Sequence, residues 1–315
     1  MIPYSKPFLD VPGQIALLQS RGMNVTDVLR AQRSLRRIGY YRLSAYWYLF
    51  RTPISSQPPV RSDQFLSNSQ FEDAVQLYVF DKKMKMLVLD AIERVEIAMR
   101  VELSLCLGGK GAFAYLDASQ LHPNFSVVDR FGQNPFLVWQ TKMTALFNQS
   151  NEEFVRHFNQ KYQMPMPIWM ACELWDFGLM SRLYSGLRAP DQQSIARQFS
   201  IANGAILESW LRALNVIRNI VAHHGRLWNR FLGVAPTLPR PATMPDFDVL
   251  LAQRSINKRL YFVLCVLAHF LSIISPTSSW KKRVVALADA LPPMPHAKLS
   301  DAGFPADWKT HAFWN

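Results

Sequence analysis

Cysteine is scarce in this chain of 315 residues, which argues against two ways of stabilising a fold. The three cysteines, Cys106, Cys172 and Cys265, are widely spaced and each lies in an apolar run. Neither a disulfide framework nor a zinc site has that spacing. We therefore expect all three to be small core residues.

Motifs for binding phosphate loops and metal ions are absent as well. The sequence has no glycine-rich phosphate loop, no His-Glu-x-x-His motif, no paired cysteines and no carboxylate cluster. These absences argue against a nucleoside triphosphatase and against a metal hydrolase. We expect the protein to use no metal ion and no other cofactor.

Long apolar runs are also lacking. The most apolar window, 260–274, is interrupted by His269 and is shorter than the roughly 20 residues that a helix needs to cross a bilayer. The N-terminal segment MIPYSKPFLD does not have the pattern of a secretory signal. These features predict a cytoplasmic protein with no membrane partner.

Acidic residues are fewer than basic ones. The chain has 23 acidic residues against 35 basic ones, which gives a formal net charge of +12. That balance favours an anionic partner, with nucleic acid first and an acidic membrane surface second, although a basic protein without such a partner stays open. Hydrophobic residues make up 49% of the chain, which supports a substantial core and argues against disorder.

Apolar residues recur at helical spacing through most of the chain, and no alternation typical of strands has a useful length. Ser69 and Glu72 form a capping-box pattern at the start of a long helix that is predicted to end at 108–109. The Pro/Ser-rich stretch 52–68 predicts an irregular connection, and 246–275 predicts another long helix.

The predicted fold is therefore all-α, with three parts. An N-terminal helical segment, 1–68, is expected to pack on a helical bundle over 69–291. A tail rich in proline and aromatic residues, 292–315, follows, and its aromatic side chains are expected to pin it onto the body because exposed tryptophans are a liability.

A basic stripe marks the second predicted helix, which should begin at Asn24 or Thr26 and end near Arg37. Its members, with a further arginine just beyond the helix, are Arg30, Arg33, Arg36, Arg37 and Arg42. Arginines at helical spacing can follow RNA phosphates, and a solvated helix face is an equally supported interpretation. The aromatic-rich stretch 40–48 favours core packing over stacking on unpaired bases.

The most informative stretch is 209–230, which reads SWLRALNVIRNIVAHHGRLWNR. Apolar residues recur there every three or four positions, which predicts a helix with one buried face and a stop at Gly225. The stretch also carries polar side chains that packing does not require: Arg218, Asn219, His223, His224, Arg226, Asn229 and Arg230.

Helix geometry places Asn219 and His223 on one face, because they are four residues apart. Arg218 and His223 are separated by roughly 140° around the helix, so a single chain brings few functional groups together at this site. A second copy packed face to face would bring two such pairs together, which predicts a homodimer. The long helix starting at Ser69 is the candidate partner within the chain. Its Arg94 and Glu96 are more typical of surface ion pairs than of residues that orient a site.

The chemistry of these side chains suits phosphate. Histidine can take or give a proton near neutral pH, and the planar guanidinium of arginine matches phosphate oxygens. Together they suit attack of an RNA 2′-OH on the adjacent phosphorus, a reaction that needs no metal ion. The Arg-x4-His spacing arises often by chance, and a charge cluster at a helix C-terminus is the alternative.

Segments beyond this motif carry distinctive patterns of their own: 6–23, 38–51, 71–100, 167–187 and 303–308. Together with RNIVAHHGRLWNR at 218–230, and in this order, they resemble the Abi-like abortive-infection proteins of the AbiD/AbiF type, which belong to the HEPN superfamily. The resemblance covers nearly the whole chain. It implies a HEPN-like helical bundle with additional N- and C-terminal helices.

The resemblance further implies a metal-independent endoribonuclease that acts as a homodimer. Arg218 would hold the scissile phosphate, Asn219 would orient groups by hydrogen bonding, and His223 would be the general base or acid. His224, Arg226, Asn229 and Arg230 would support the site or contact RNA. The products would carry a 2′,3′-cyclic phosphate and a 5′-OH.

Abi-like proteins are associated with phage defence, in which an infected cell is halted. This implies a toxin-like ribonuclease that a partner RNA or protein restrains in healthy cells. Two alternatives stay open. One is a non-catalytic RNA-binding module in which Arg218 and His223 only grip RNA, and the other is a protein–protein scaffold, which predicts no salt-dependent affinity for RNA.

Overall fold

Helices form most of the protein, as a computed structural model shows for residues 3, 5, 7–56, 59–162 and 164–315. The described residues also include two strands, several short 3₁₀ turns and the segments that connect these elements. The elements are α1 (Val11–Ser20), α2 (Val28–Ile38), α3 (Tyr40–Trp47), β1 (Arg51–Ser56), β2 (Pro59–Phe65), α4 (Phe71–Gly108), α5 (Pro123–Ser126), α6 (Pro135–Gln149), α7 (Glu153–Lys161), α8 (Ile168–Ala171), α9 (Phe177–Ser185), α10 (Ala189–Gln198), α11 (Gly204–Ala222), α12 (Leu260–Ile274) and α13 (Trp280–Asp289). The prediction of a mainly helical fold is confirmed.

Helix α4 begins and ends close to the predicted residues, but its first turn is held differently. The Ser69 hydroxyl donates to the Leu66 carbonyl oxygen at 2.7 Å, and Glu72 forms an ion pair with Arg30 at 2.7 Å. The predicted reciprocal bonding of Ser69 and Glu72 is therefore replaced by contacts with residues outside the helix.

The first departure from the prediction is the hairpin of β1 and β2, in the stretch expected to be an irregular connection. Its register is interrupted twice, on either side of Pro53. Asp63 of β2 pairs with Arg51 of β1 at 3.1 Å and with Arg21 at 2.8 Å. One ion pair therefore joins the two strands, and the other joins the hairpin to Arg21. Both strands of a two-stranded ribbon are edge strands, which is where proline is tolerated.

The second departure lies in 246–275, which was predicted to be one helix. The structure has 3₁₀ turns at Pro245–Leu250 and Ile256–Lys258, and only then α12. Ser255 adopts a left-handed conformation with φ of 58°, which ends any helical run at that residue. The single long helix was therefore wrong for the first half of the stretch.

Contacts divide the chain into two compact units, each made of separate segments. Unit 1 consists of the described residues of 1–87, with 226–229 and 282–306. Unit 2 consists of the described residues of 88–225, with 230–281 and 307–315. The predicted division at 68 and 291 into an N-terminal segment, a helical bundle and a tail stays a prediction.

Aromatic side chains of the C-terminal tail pack within each unit as predicted, and all of them are buried except Trp314, which is half-buried. In unit 2, the ring of Trp314 lies 6.4 Å from that of Trp280, and its indole N–H donates to the Tyr261 hydroxyl at 3.0 Å. Phe313 packs on Phe247 with ring centroids 4.8 Å apart. In unit 1, Phe304 is buried.

A buried carboxylate, Asp81 on α4, organises part of unit 1. It accepts the backbone N–H of Trp228 at 2.7 Å and that of Leu227 at 3.2 Å. The Tyr46 hydroxyl donates to it at 2.7 Å, and the Lys85 ammonium lies 3.5 Å away. Burial, and then the Asp81 charge, raise the pKa of Tyr46 well above its usual range, so Tyr46 remains a donor. Asp81 thereby fixes the backbone that follows Gly225 in sequence.

Replacing Asp81 with alanine should lower the free energy of unfolding by about 3 kcal/mol or more, because the three donors would be left buried without this acceptor and Lys85 would lose its ion pair with Asp81. The matched control is Asp90→Ala on the same helix. Asp90 pairs with Arg94 at 3.0 Å where both side chains are partly exposed, and such pairs contribute about 1 kcal/mol or less. Chemical denaturation of both variants measures the difference, and equal losses would contradict the role assigned to Asp81.

Candidate functional site

Helix α11 presents the polar residues of the central stretch because its other side is buried. Asn203 caps the helix by accepting the Ile206 N–H at 3.0 Å. The buried face packs against α9 and α10 and comprises Ile206, Leu207, Trp210, Leu211, Leu214, Ile217 and Val221. With that face fixed, Asn215, Arg218 and Asn219 lie on the accessible side.

The C-terminus of α11 ends in a Schellman motif, with His223 as the C-cap. The His224 N–H donates to the Val221 carbonyl oxygen at 3.0 Å, and the Gly225 N–H donates to that of Ile220 at 2.7 Å. The left-handed position of this motif is usually glycine, but here it is His224, with φ of 57°.

Gly225 is needed for a different reason from the one the sequence suggested. A Cβ atom at this position would lie 3.0 Å from both Cγ2 and the carbonyl oxygen of Ile220. Gly225 therefore permits the close approach of two backbone segments, while His224 adopts the left-handed turn. The helix ends at Ala222, three residues before the predicted stop at Gly225.

The three residues expected to carry chemistry lie at this accessible end of α11. Asn219 and His223 are exposed, and Arg218 is half-buried. Nη1 of Arg218 donates to Oδ1 of Asn219 at 3.4 Å, and the backbone N–H of His223 donates to the Asn219 carbonyl oxygen at 3.0 Å, as in any helix. The exposed His223 imidazole is therefore accessible to a ligand, and the Asn219 side chain contacts Arg218.

Glu96 of α4 lies close enough to Arg218 for their charges to interact. Burial raises the pKa of Glu96, the positive charges of Arg100 and Arg218 oppose that shift, and Asp176 reinforces it. Arg100 also donates to Glu96 at 2.5 Å and to the Trp175 carbonyl oxygen at 2.6 Å. Glu96 thus links α4 to the arginine of the motif.

Arg94, the other α4 residue considered for orienting the site, has different partners. Its guanidinium pairs with Asp90 at 3.0 Å and donates to the Ser278 hydroxyl at 2.8 Å. The interpretation of Arg94 as part of an ion-pair lattice is consistent with these contacts.

An open-sided cavity of about 610 Å³ lies between α6, α9 and α11. Its polar lining consists of Lys142, Asp176, Arg182 and Asn215, with Gly178 beside them. Apolar walls come from Val138, Trp139, Ala145, Leu146 and Leu179. Asn215 belongs to the same helix as Arg218, three residues earlier in the chain.

Asn215 and Asp176 were not singled out from the sequence. Asn215 offers one signal in retrospect, because Asn215, Asn219 and His223 recur at intervals of four residues and so share a helix face. Asp176 offers only the pattern of an N-cap, and it does cap α9 by accepting the Leu179 N–H at 2.7 Å.

The residues after Gly225 divide between the two units. Arg226 belongs to unit 1, where its Nη1 donates to the Ala45 carbonyl oxygen near the end of α3. Asn229, also in unit 1, adopts a left-handed φ of 47°. Arg230 is exposed in unit 2. These contacts identify a structural role for Arg226, whereas contact with RNA stays a prediction for all three.

The basic stripe of α2 belongs to unit 1 and is exposed along its length. Its members are Arg30, Arg33, Arg36 and Arg37, and exposed Arg42 follows on α3. Tyr46 and Trp47 are buried, which confirms core packing for those aromatic residues, whereas Tyr41 is 91% exposed. Tyr41 therefore offers an accessible ring between Arg37 and Arg42 in the sequence.

The two adjacent histidines should respond differently to replacement by glycine. His224→Gly removes the left-handed strain of an L-residue, which offsets the entropy that glycine adds to the unfolded chain. His223→Gly adds that entropy without relieving strain, because His223 has φ of −87°. We expect His224→Gly to be the more stable variant by about 1 kcal/mol, measured by thermal or chemical denaturation. The opposite order would contradict the assigned cap.

A family model described as Abi-like protein matches residues 33–229, which include α3, α4 and all of α11. Comparison with curated proteins and with solved structures found no match. Within the described part of the chain, no helix has the length and apolar character needed to cross a membrane. The matched segment contains more than half of the residues and the whole polar end of α11, and the chain belongs to the Abi-like protein family.

Proposed function

We propose that the protein is a metal-independent endoribonuclease of the HEPN type that acts in abortive infection. The Abi-like family is associated with this form of phage defence. The observation that carries the proposal is the end of α11, where Arg218, Asn219 and the exposed His223 lie within six residues of one another. The net charge of +12 favours RNA as the anionic partner.

In the proposed reaction, the 2′-oxygen of RNA attacks the adjacent phosphorus and the bond from phosphorus to the 5′-oxygen breaks. His223 takes the proton of the 2′-OH, and a second acid protonates the leaving 5′-oxygen. The Arg218 guanidinium binds the non-bridging oxygens, on which charge increases during the reaction. The products carry a 2′,3′-cyclic phosphate and a 5′-OH.

The contacts of Arg218 support its assignment to the phosphate. The Asn219 amide oxygen accepts from the guanidinium at 3.4 Å, and the charge of Glu96 interacts with it; both interactions favour a defined orientation of the side chain. An arginine whose position is restricted before substrate binds loses less conformational entropy on binding phosphate. Asn219 is thus a positioning residue in the proposal.

The decisive experiment incubates the purified full-length chain with single-stranded RNA in EDTA, after bound nucleic acid has been removed. Wild type should cleave the RNA, and His223→Ala or Arg218→Ala should slow cleavage by roughly 100-fold or more. Arg212→Ala is the matched control, because Arg212 is exposed on the same helix and lies about 120° around it from Arg218. Mass spectrometry of the products identifies the cyclic phosphate.

Other outcomes favour other functions. RNA that stays intact in every condition, while binding falls steeply with salt, would support the non-catalytic RNA-binding module. Absence of any salt-dependent RNA affinity would support a protein–protein scaffold. Cleavage that persists unchanged in His223→Ala would contradict the proposed role of the imidazole.

We further propose that the active form is a homodimer, in which the second protomer's His223 supplies the acid. One Arg218 and one His223 per chain provide only one of the two proton-transfer groups that the reaction uses. The dimer brings the ends of two α11 helices to one cleft.

Mixing wild type with an excess of His223→Ala tests this composite site. A mixed dimer has only one His223, so it has the base without the acid. We expect the cleavage activity of wild type to fall as subunits exchange, whereas the same excess of Arg212→Ala leaves it unchanged. A strict monomer in sedimentation that is active at high dilution would contradict the dimer.

A further inference from the structure

We propose that the cavity between α6, α9 and α11 binds one nucleotide of the RNA substrate close to the cleaved bond, with its base inside. The proposal rests on the endoribonuclease function and adds to it a base preference. A base that carries an exocyclic amino group is preferred over uracil. The argument uses residues of unit 2 alone.

Position along α11 is the first support. Asn215, which lines the cavity, shares a helix face with Asn219 and His223. At 1.5 Å of rise per residue, the axial distance from Asn215 is about 6 Å to Asn219 and about 12 Å to His223. A nucleotide in the cavity therefore lies within a short length of chain from a phosphate held by Arg218.

Charge connects the two places as well. Asp176, at the cavity, and Arg218, at the end of α11, both act on the pKa of Glu96, in opposite directions. Both groups therefore lie near enough to Glu96 of α4 for their charges to interact with it, so the cavity and the end of α11 adjoin the same residue.

The size and walls of the cavity suit a nucleotide. Its volume of about 610 Å³ lies within the usual range for small-molecule sites, which are mainly apolar with a few polar groups. Val138, Leu146 and Leu179 offer apolar surface to the faces of a base. Trp139 is held in place, since its indole N–H donates to the Leu179 carbonyl oxygen at 2.9 Å.

Polar groups at the cavity give the base preference. The Asp176 carboxylate can accept from the amino group of adenine, cytosine or guanine, and uracil presents a carbonyl oxygen instead. The Asn215 amide can donate and accept at the same edge. Lys142 and Arg182 are exposed cations at the rim, and they favour the phosphates that flank the base.

Gly178 keeps the polar part of the cavity open. A Cβ atom there would lie 3.4 Å from Nδ2 of Asn215 and 3.4 Å from Oδ1 of Asp176. Alanine would fit at contact distance, whereas the branched side chain of valine would occupy the space beside both polar groups. Gly178 lies in the first turn of α9, where a residue other than glycine favours the helix.

The experiment measures binding without cleavage. Fluorescence anisotropy at fixed salt gives the affinities of the full-length chain for single-stranded deoxyribo-oligonucleotides of adenine, cytosine or uracil, which lack the 2′-OH and cannot react. We expect wild type to bind the adenine and cytosine oligonucleotides about 10-fold more tightly than the uracil one, which corresponds to one good polar base contact.

Two variants should remove the preference. Gly178→Val should reduce the affinity for adenine and cytosine oligonucleotides to the level for uracil. Asp176→Asn should do the same while leaving folding intact, because asparagine also caps a helix. Lys142→Ala should weaken binding of all three, with Lys161→Ala as its control, since exposed Lys161 on α7 does not line the cavity.

Each result supports or overturns the proposal independently of the nuclease. Equal affinities of wild type for the three oligonucleotides, or a preference unchanged in both Gly178→Val and Asp176→Asn, would overturn the base site. Adenosine monophosphate that binds as tightly as the oligonucleotide, and only when Gly178 is intact, would assign the cavity to a free nucleotide instead. The chain could also show a base preference that is lost in Gly178→Val and yet never cleave RNA. That result would support the base site and reject the nuclease.

Discussion

The buried carboxylate of Asp81 is the constraint on which the stretch after α11 depends. A buried carboxylate is tolerated only where hydrogen-bond donors surround it. The backbone N–H groups of Leu227 and Trp228 provide two of these donors. The Tyr46 hydroxyl provides a third. Because these donors come from α3 and from the turn after Gly225, removing the carboxylate leaves polar groups of both segments buried without an acceptor. The Asp81 side chain of α4 thus fixes the backbone of the segment 226–229 in unit 1.

The segment 218–230, which carries the family resemblance, therefore contains both residues that maintain the fold and residues that face solvent. Leu227 and Trp228 are buried and Arg226 donates to a backbone carbonyl, so these residues maintain the fold. Asn219 and His223 are exposed at the end of a helix whose opposite face is buried. Packing does not determine the identity of side chains that face solvent, and the proposed function assigns these two to the RNA substrate. The Schellman motif separates the two kinds, with His224 in the conformation that usually requires glycine.

The electrostatic cluster around Glu96 connects the end of α11 to the cavity beside it. Arg100 and Arg218 supply positive charge to Glu96, and Asp176 supplies negative charge. In the proposed function, the charge of Glu96 favours an orientation of Arg218 that suits a single phosphate. The cavity adds apolar surface and acceptors, which a phosphate does not need and a base does. One side chain, Asn215, belongs to both the cavity and the polar face of α11.

Local signals were sufficient for α4 and for the buried face of α11, because helical spacing and end signals such as Gly108 and Gly225 act within a few residues. The family, and with it Arg218, Asn219 and His223 as candidates, was also evident from the sequence. The hairpin at 51–65 was not, because ion pairs of Asp63 with Arg21 and Arg51 replace the alternating pattern that a strand prediction needs. Neither were the roles of Asp81, Glu96 and Asp176. Each also has a partner far away in the chain, such as Trp228 for Asp81 and Arg218 for Glu96, so only the tertiary structure decides which donors surround a carboxylate and which helices enclose a cavity.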